Sequence, residues 1–331
     1  MQSHVFTKVV PCCGICLTRL QPCPNSHCGP LLSGDTEIRS VRTGPGFVDI
    51  TAHSIDLNTP GMTRLMSGID HWRTALDGSC GIDVFGNHGI AVGDIDGSGY
   101  DSFYVCQPGG LPNRLYRNTG NGTFEDITER SGTGILDGTA SALFVDFQNR
   151  GKQDLLVIRS GGPLLFENAG DGRFEPRPSA FRFATPPQGT FTGAAAADYN
   201  RDGLVDVYLC VYSYYKGLEH HQYPSPYYDA QNGPPNFLFR NRGDGTFDDV
   251  TASSGMSQNN NRFSFAASWS DCDGDGWPDL YVANDFGRKN LYRNGGDGTF
   301  ADVAAAAGVE DYGQGMSLIP ESEQLFREGN A

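Results

Sequence analysis

The chain has 331 residues, carries 24 basic against 39 acidic side chains for a net charge of −15, and contains 44 glycines. So acidic a surface has little with which to neutralise phosphates, which excludes duplex nucleic acid as a partner and disfavours an anionic membrane surface. No window approaches ~18 uninterrupted apolar residues, so a spanning helix is excluded as well. The abundance of Gly, Asp, Asn and aromatic residues predicts many short strands joined by tight turns.

In chain order, residues 1–44 form a cysteine-rich leader that reads as disordered. Cys13-x-x-Cys16 is followed by Cys23, His27 and Cys28, a thiolate and imidazole set of the kind zinc takes, although the second half lacks the short C-x-x-C spacing of a structural site. The competing reading is a non-native leader from an upstream start codon. Pro11 and the cysteines interrupt any apolar run, so no clear signal peptide is present. The later cysteines show no regular spacing, so a disulfide framework is not expected.

Residues 45–317 are built from a repeat, with units near 89–132, 140–178, 192–255 and 264–308. Their leading aspartates are Asp94, Asp146, Asp198 and Asp271, spaced 52, 52 and 73 residues apart. Each unit then carries a second block, such as NRLYRNTGNGTFEDIT from Asn113 or NLYRNGGDGTFADVA from Asn290. A stretch from Gly46, GFVDITAHS, matches only the end of that block, which predicts an incomplete unit before the first full one. The segment 318–331 follows a lead-in at Gly313–Ser317 and reads as a truncated fifth repeat. The two outermost blades are therefore expected to present open apolar faces, and the chain to self-associate.

In the last full unit, strands are predicted over Phe265–Asp271, Asp279–Asn284, Asn290–Asn294 and Thr299–Val303. The final two are joined by Asp297-Gly298, and the other units place Asn121-Gly122, Asp171-Gly172 and Asp244-Gly245 there, pairs suited to a type I′ hairpin turn. Four antiparallel strands per unit predict an all-β chain, a β-propeller of four-stranded antiparallel blades.

The loop between the first two strands carries the chemistry. In the fourth unit Asp271, Asp273, Asp275 and Asp279 stand at its first, third, fifth and ninth positions. Four hard oxygen donors in one short loop suit Ca²⁺ and would repel one another without a cation. The third unit offers Asp198, Asn200, Asp202 and Asp206. The first offers Asp94, Asp96, Ser98 and Asp101, with its closing Asp one position early. In the second unit Arg150 stands where the others place an oxygen and Lys152 lies nearby, so cationic side chains are expected to replace the ion by pairing with Asp146 and Asp154. These are not EF-hands, because no Glu occupies the twelfth position.

The blocks DxDxDGxxD and NxLYRNxGDGTFxDVT resemble FG-GAP/VCBS repeats, those of integrin-α-like propellers and of the ASPIC/UnbV group, the bacterial relatives of cartilage acidic protein. The resemblance spans about residues 46–317. It implies a seven-bladed propeller, Ca²⁺ in the inter-strand loops, an extracellular or periplasmic setting and a role in adhesion or binding. The C-terminal ASPIC/UnbV segment is absent and only four full repeats occur, which makes this an incomplete seven-bladed ring.

Three functional readings follow: a non-catalytic calcium-binding propeller with a protein or glycan ligand, a propeller-scaffold enzyme acting on polysaccharide or phosphoester, or a remnant with a structural role only. Neither G-x-S-x-G nor H-E-x-x-H occurs, and the Asp clusters read as metal ligands rather than acid/base pairs. The candidate recognition surface is the insertion of the third unit, with Tyr212, Tyr214, Tyr215, His220, His221, Tyr223, Tyr227 and Tyr228. Tyrosine-rich loops give rigid amphipathic contact area. The connection Asn284–Lys289 differs from its counterparts in the first two units and reads as a solvated turn.

Overall fold

A computed structural model of the chain describes residues 48–65, 89–215, 223–313 and 315. The cysteine-rich leader, His220, His221 and the tail at 318–331 lie outside them. Four sheets follow one another along the chain, three of four antiparallel strands and one, the third, of four antiparallel strands with a short fifth added. The first is β1 (Ile90–Gly93), β2 (Ser102–Val105), β3 (Arg114–Asn118) and β4 (Phe124–Asp126). The second is β5 (Thr139–Val145), β6 (Asp154–Arg159), β7 (Gly162–Gly170) and β8 (Arg173–Arg177). The third holds β10 (Gly189–Ala197), β11 (Asp206–Tyr214), β12 (Phe237–Asn241) and β13 (Phe247–Asp249), with the short β9 (Phe181–Arg182) added parallel to β13. The fourth is β14 (Phe263–Ser270), β15 (Asp279–Phe286), β16 (Asn290–Asn294) and β17 (Phe300–Asp302). These are propeller blades, in which each of the four antiparallel strands pairs with the next in sequence and only β9 joins out of order.

The second strands explain the stacking. Strand β11 reads DVYLCVYSY, and its first six residues are all buried. Val207, Leu209 and Val211 join a core with Leu143, Leu156 and Leu165 of the second blade. Tyr208 and Cys210, on the opposite face, pack with Leu280, Val282 and Tyr292 of the fourth. A sheet covered on both sides needs a continuous apolar run rather than alternation. Each fully buried Leu or Val contributes roughly 1.5–3 kcal/mol.

Short helices close the edges: α1 (Thr51–Ser54), α2 (Pro60–Leu65), α3 (Thr128–Ser131) and α4 (Ala304–Ala307). The face of the first blade expected to be open is covered in part: Ile55 and Met62 of the α1–α2 segment are buried against Phe103, Val105 and Tyr116, while Val92 of β1 stays 55 % exposed.

The hairpin turns also need correction. Only the second blade has a two-residue turn with both residues at positive φ, Asp171 at 53° and Gly172 at 69°. In the others the connection is longer and the strained positions are glycines, as at Gly296 (75°) and Gly298 (84°). The cause is the next residue. Thr123, Thr246 and Thr299 donate their N–H to the Asn121, Asp244 and Asp297 side chains at 3.0 Å each, forming Asx turns; the second blade has Arg173 there instead. The connection after β15 is not a solvated turn either. Asn284, Asp285 and Lys289 are buried, and the Asp285 carboxylate accepts the Tyr212 hydroxyl at 2.6 Å.

Candidate metal centre

All four acidic loops share one scaffold, set by the first aspartate. Asp94 accepts the N–H groups of Ser98 and Gly99, Asp146 those of Arg150 and Gly151, and Asp198 those of Asp202 and Gly203. Asp271 does the same from Gly274 and Gly276 at 2.8 and 2.9 Å. The glycine at the sixth position is at positive φ in every loop: Gly99 at 80°, Gly151 at 73°, Gly203 at 88° and Gly276 at 89°. That conformation suits glycine, and it is what turns the N–H back onto the carboxylate.

The loop closes on the first residue of the second strand. Asp154, Asp206 and Asp279 are buried there, and each accepts the N–H of a third-strand asparagine: Asn168 at 2.9 Å, Asn241 at 2.8 Å and Asn294 at 2.8 Å. In the first blade that place belongs to Ser102, whose hydroxyl accepts the Asn118 N–H at 3.1 Å. Asp101, expected as the closing ligand, sits one residue earlier and is exposed. The first loop also has Asp96 within 3.6 Å of the Arg117 guanidinium. It therefore lacks a buried closing carboxylate and already has a cation beside one of its acids.

The remaining positions separate the other three loops. In the second, Arg150 lies 2.7 Å from both Asp154 and Glu167. It pairs with Asp154 as the sequence suggests, but its second partner is Glu167 rather than Asp146. In the third, Asn200 and Asp202 accept N–H groups two residues on, and Asp198, Asp202 and Asp206 carry no counter-cation among the described residues. The inner oxygen of Asp206, Oδ2, is buried with no hydrogen-bond partner. Burial pushes this carboxyl up to about 8, and the Asp202 and Asp198 charges add to the rise, while the Asn241 N–H and, through a contact too distorted to count as a full hydrogen bond, the Tyr199 N–H oppose it. In the fourth loop, donor oxygens of Asp271, Asp273 and Asp275 fall within 4.8 Å of one another, a grouping able to hold a metal ion. There Asp279 has both oxygens engaged, by Asn294 and by the Cys272 N–H at 2.9 Å. Its pKa is raised by burial, against those two hydrogen bonds.

Residues outside the acidic set tie the loops together. The side-chain amide of Asn168 donates to the carbonyl of Ile95, that of Asn241 to Phe147 and that of Asn294 to Tyr199, at 2.9, 2.7 and 2.9 Å. Each acceptor is the second loop residue of the preceding blade, and each of these side chains is buried. A second staple runs forward: Asn113 donates to Thr139, and Asn236 to Ser264, at 2.7 and 2.8 Å. The signal was present in the sequence as the asparagine of N-x-G-[ND]-G, which recurs at Asn118, Asn168, Asn241 and Asn294.

The tyrosine set splits in two. Tyr212, Tyr214 and Tyr215 are half-buried; Tyr212 packs against Phe263, Phe265 and Phe286, and the Tyr214 hydroxyl donates to the Gly233 carbonyl at 3.2 Å. Tyr223, Tyr227 and Tyr228 are 83, 62 and 68 % exposed. Their loop is held by Asn232, which accepts from the Ser225 N–H and donates to the Tyr223 carbonyl, and by Asp229, 3.3 Å from Arg288.

The sequence matches the model of the FG-GAP-like repeat over residues 94–157, 146–209 and 271–320, each match opening on the first aspartate of an acidic loop. The chain belongs to this family. It is related to the ASPIC/UnbV group through cartilage acidic protein 1 of Xenopus tropicalis, with 34 % identity over 130 residues that cover 38 % of this chain. The match spans only 19 % of that protein's length. Among solved structures, a lectin of Agrocybe aegerita that recognises non-reducing terminal N-acetylglucosamine is 18 % identical, with 63 % of this chain and 49 % of that chain covered and a TM-score of 0.39. The V. cholerae biofilm matrix protein Bap1 is 16 % identical, covering 66 % of this chain and 38 % of that chain, with a TM-score of 0.31.

Proposed function

We propose that this chain is a non-catalytic, calcium-binding propeller whose ions set the rigidity of a binding surface for a protein or glycan, in an extracellular or periplasmic setting. The observation that carries the reading is Asp206. A fully buried carboxylate beside two further carboxylates, with no counter-cation among the described residues where Asp154 has Arg150, is costly unless a cation completes it. In the third loop Asp198, Asn200, Asp202 and Asp206 would hold the ion, and in the fourth Asp271, Asp273, Asp275 and Asp279. These are all oxygen donors, the class that Ca²⁺ prefers. The ion would supply charge neutralisation and would fix the loop. The chain's own contribution is the backbone turn and the buried closing carboxylate. The exposed Tyr223, Tyr227 and Tyr228 are the ligand surface in this reading, because aromatic rings on a pinned loop lose little entropy on contact.

Calorimetric titration of the full chain with Ca²⁺, alongside thermal melts, tests this. Saturable binding with a rise in melting temperature is expected. No heat and no stabilisation at millimolar Ca²⁺ would end the proposal.

A further inference from the structure

Asn294 has two jobs that belong to different blades. Its backbone N–H donates to Asp279, the closing carboxylate of its own loop, at 2.8 Å. Its side-chain amide donates to Pro278 of the same blade at 3.0 Å and, across the blade boundary, to the Tyr199 carbonyl at 2.9 Å. Tyr199 lies between Asp198 and Asn200, the first and third donor positions of the third loop. The side chain of Asn294 is buried, so the contact is fixed rather than traded with water. Next to it Arg201, held at φ 57°, extends its guanidinium over the Trp277 ring of the fourth loop at 4.6 Å. Residues 199 and 201 of one loop are thus both held by the following blade.

We infer that Asn294 is a positioning residue for the cation loop of the preceding blade, so that the third loop becomes a complete site only when the fourth blade is docked on it. This rests on the calcium reading above. The amide fixes the peptide that sets the angle between Asp198 and Asn200, as outer contacts commonly orient ligands around a metal. Binding and docking are then reciprocally linked: an ion in the third loop strengthens the junction with the fourth blade by the factor by which that junction strengthens ion binding. The molecule carries its own control. Asn168 makes the same contact with Ile95 in the first loop, and the other hydrogen bonds it donates go to Asp154 and Gln153, away from the third loop.

The test is Ca²⁺ calorimetry on the full chain carrying Asp273→Ala and Asp275→Ala, which leaves the third loop as the carboxylate-rich site. In that background Asn294→Ser weakens Ca²⁺ binding by about tenfold or more. Asn168→Ser leaves the affinity unchanged, although both variants lower the melting temperature without calcium. Arg201→Ala, at an exposed position that cannot unfold the core, weakens the same ion by about threefold and keeps the inference testable if the serine variant does not fold. Unchanged affinity in both Asn294→Ser and Arg201→Ala overturns the positioning role while leaving the site itself intact. Equal weakening by Asn294→Ser and Asn168→Ser shows plain destabilisation and overturns it too. If the background chain binds no Ca²⁺, the calcium reading of the third loop fails, and the inference with it.

Discussion

The second and third acidic loops have the same frame and opposite fillings. Both open on an aspartate that accepts two N–H groups, turn at a glycine of positive φ and close on a buried aspartate holding the N–H of an asparagine. In both, the second oxygen of the closing carboxylate is unpartnered. They differ at the third and fifth positions, Gln148 and Arg150 against Asn200 and Asp202. The frame therefore demands positive charge and leaves its source open. The second loop has it covalently, as a guanidinium 2.7 Å from Asp154; the third has none among the described residues, and in the function proposed above a diffusible cation supplies it.

The largest break in this comparison comes from removing the built-in cation. Arg150→Ala leaves the buried Asp154 without its cation, and should cost about 3 kcal/mol in a denaturant melt that calcium does not restore, because the loop then still lacks the fifth-position oxygen. The matching change in the third loop has the opposite character. Asp202→Ala should leave the calcium-free stability nearly unchanged, since it removes one of several like charges. It should abolish that loop's share of calcium stabilisation, about 2.7 kcal/mol at a hundredfold excess over Kd.

Acidity sharpens the same contrast. Asp206 has a folded pKa raised to about 8 from the ordinary aspartate value of 3.8. Between those values the folded state holds a proton that the unfolded state has lost, so stability without calcium falls as pH rises from about 4 to about 8. Below about 4 both states are protonated and the penalty is absent. Asp206→Asn should flatten that slope in calcium-free melts at stepped pH. An unchanged slope would assign it to other groups.

Much of this was legible in the sequence, for physical reasons that differ by element. The blades showed because strands need contiguous apolar runs and the Gly-Asp punctuation is local. The third and fourth loops showed because their oxygens lie within nine residues. What did not show was long-range. The staples join residues 73, 94 and 95 positions apart, and only a folded junction reveals that the asparagine before the hairpin glycine serves two blades. In the first loop the sequence shows Asp101 one position early, and only the strand register shows that Ser102 takes the closing place opposite Gly93. The tyrosine set misled in part because three of its members lie at the end of β11 and just beyond it, packed into the scaffold rather than out from it.

The smallest expected effect is a gain. Arg150→Asp supplies the missing oxygen on a loop whose Gly151 already has a φ of 73°. It should add one weak Ca²⁺ site at a cost to calcium-free stability.

Counting bound ions tests the central claim most directly, by native mass spectrometry or calorimetry on the unaltered chain, Asp202→Ala and Arg150→Asp side by side. The count should fall by one in Asp202→Ala and rise by one in Arg150→Asp. An identical count in all three would show that the shared loop frame does not decide where the cation goes.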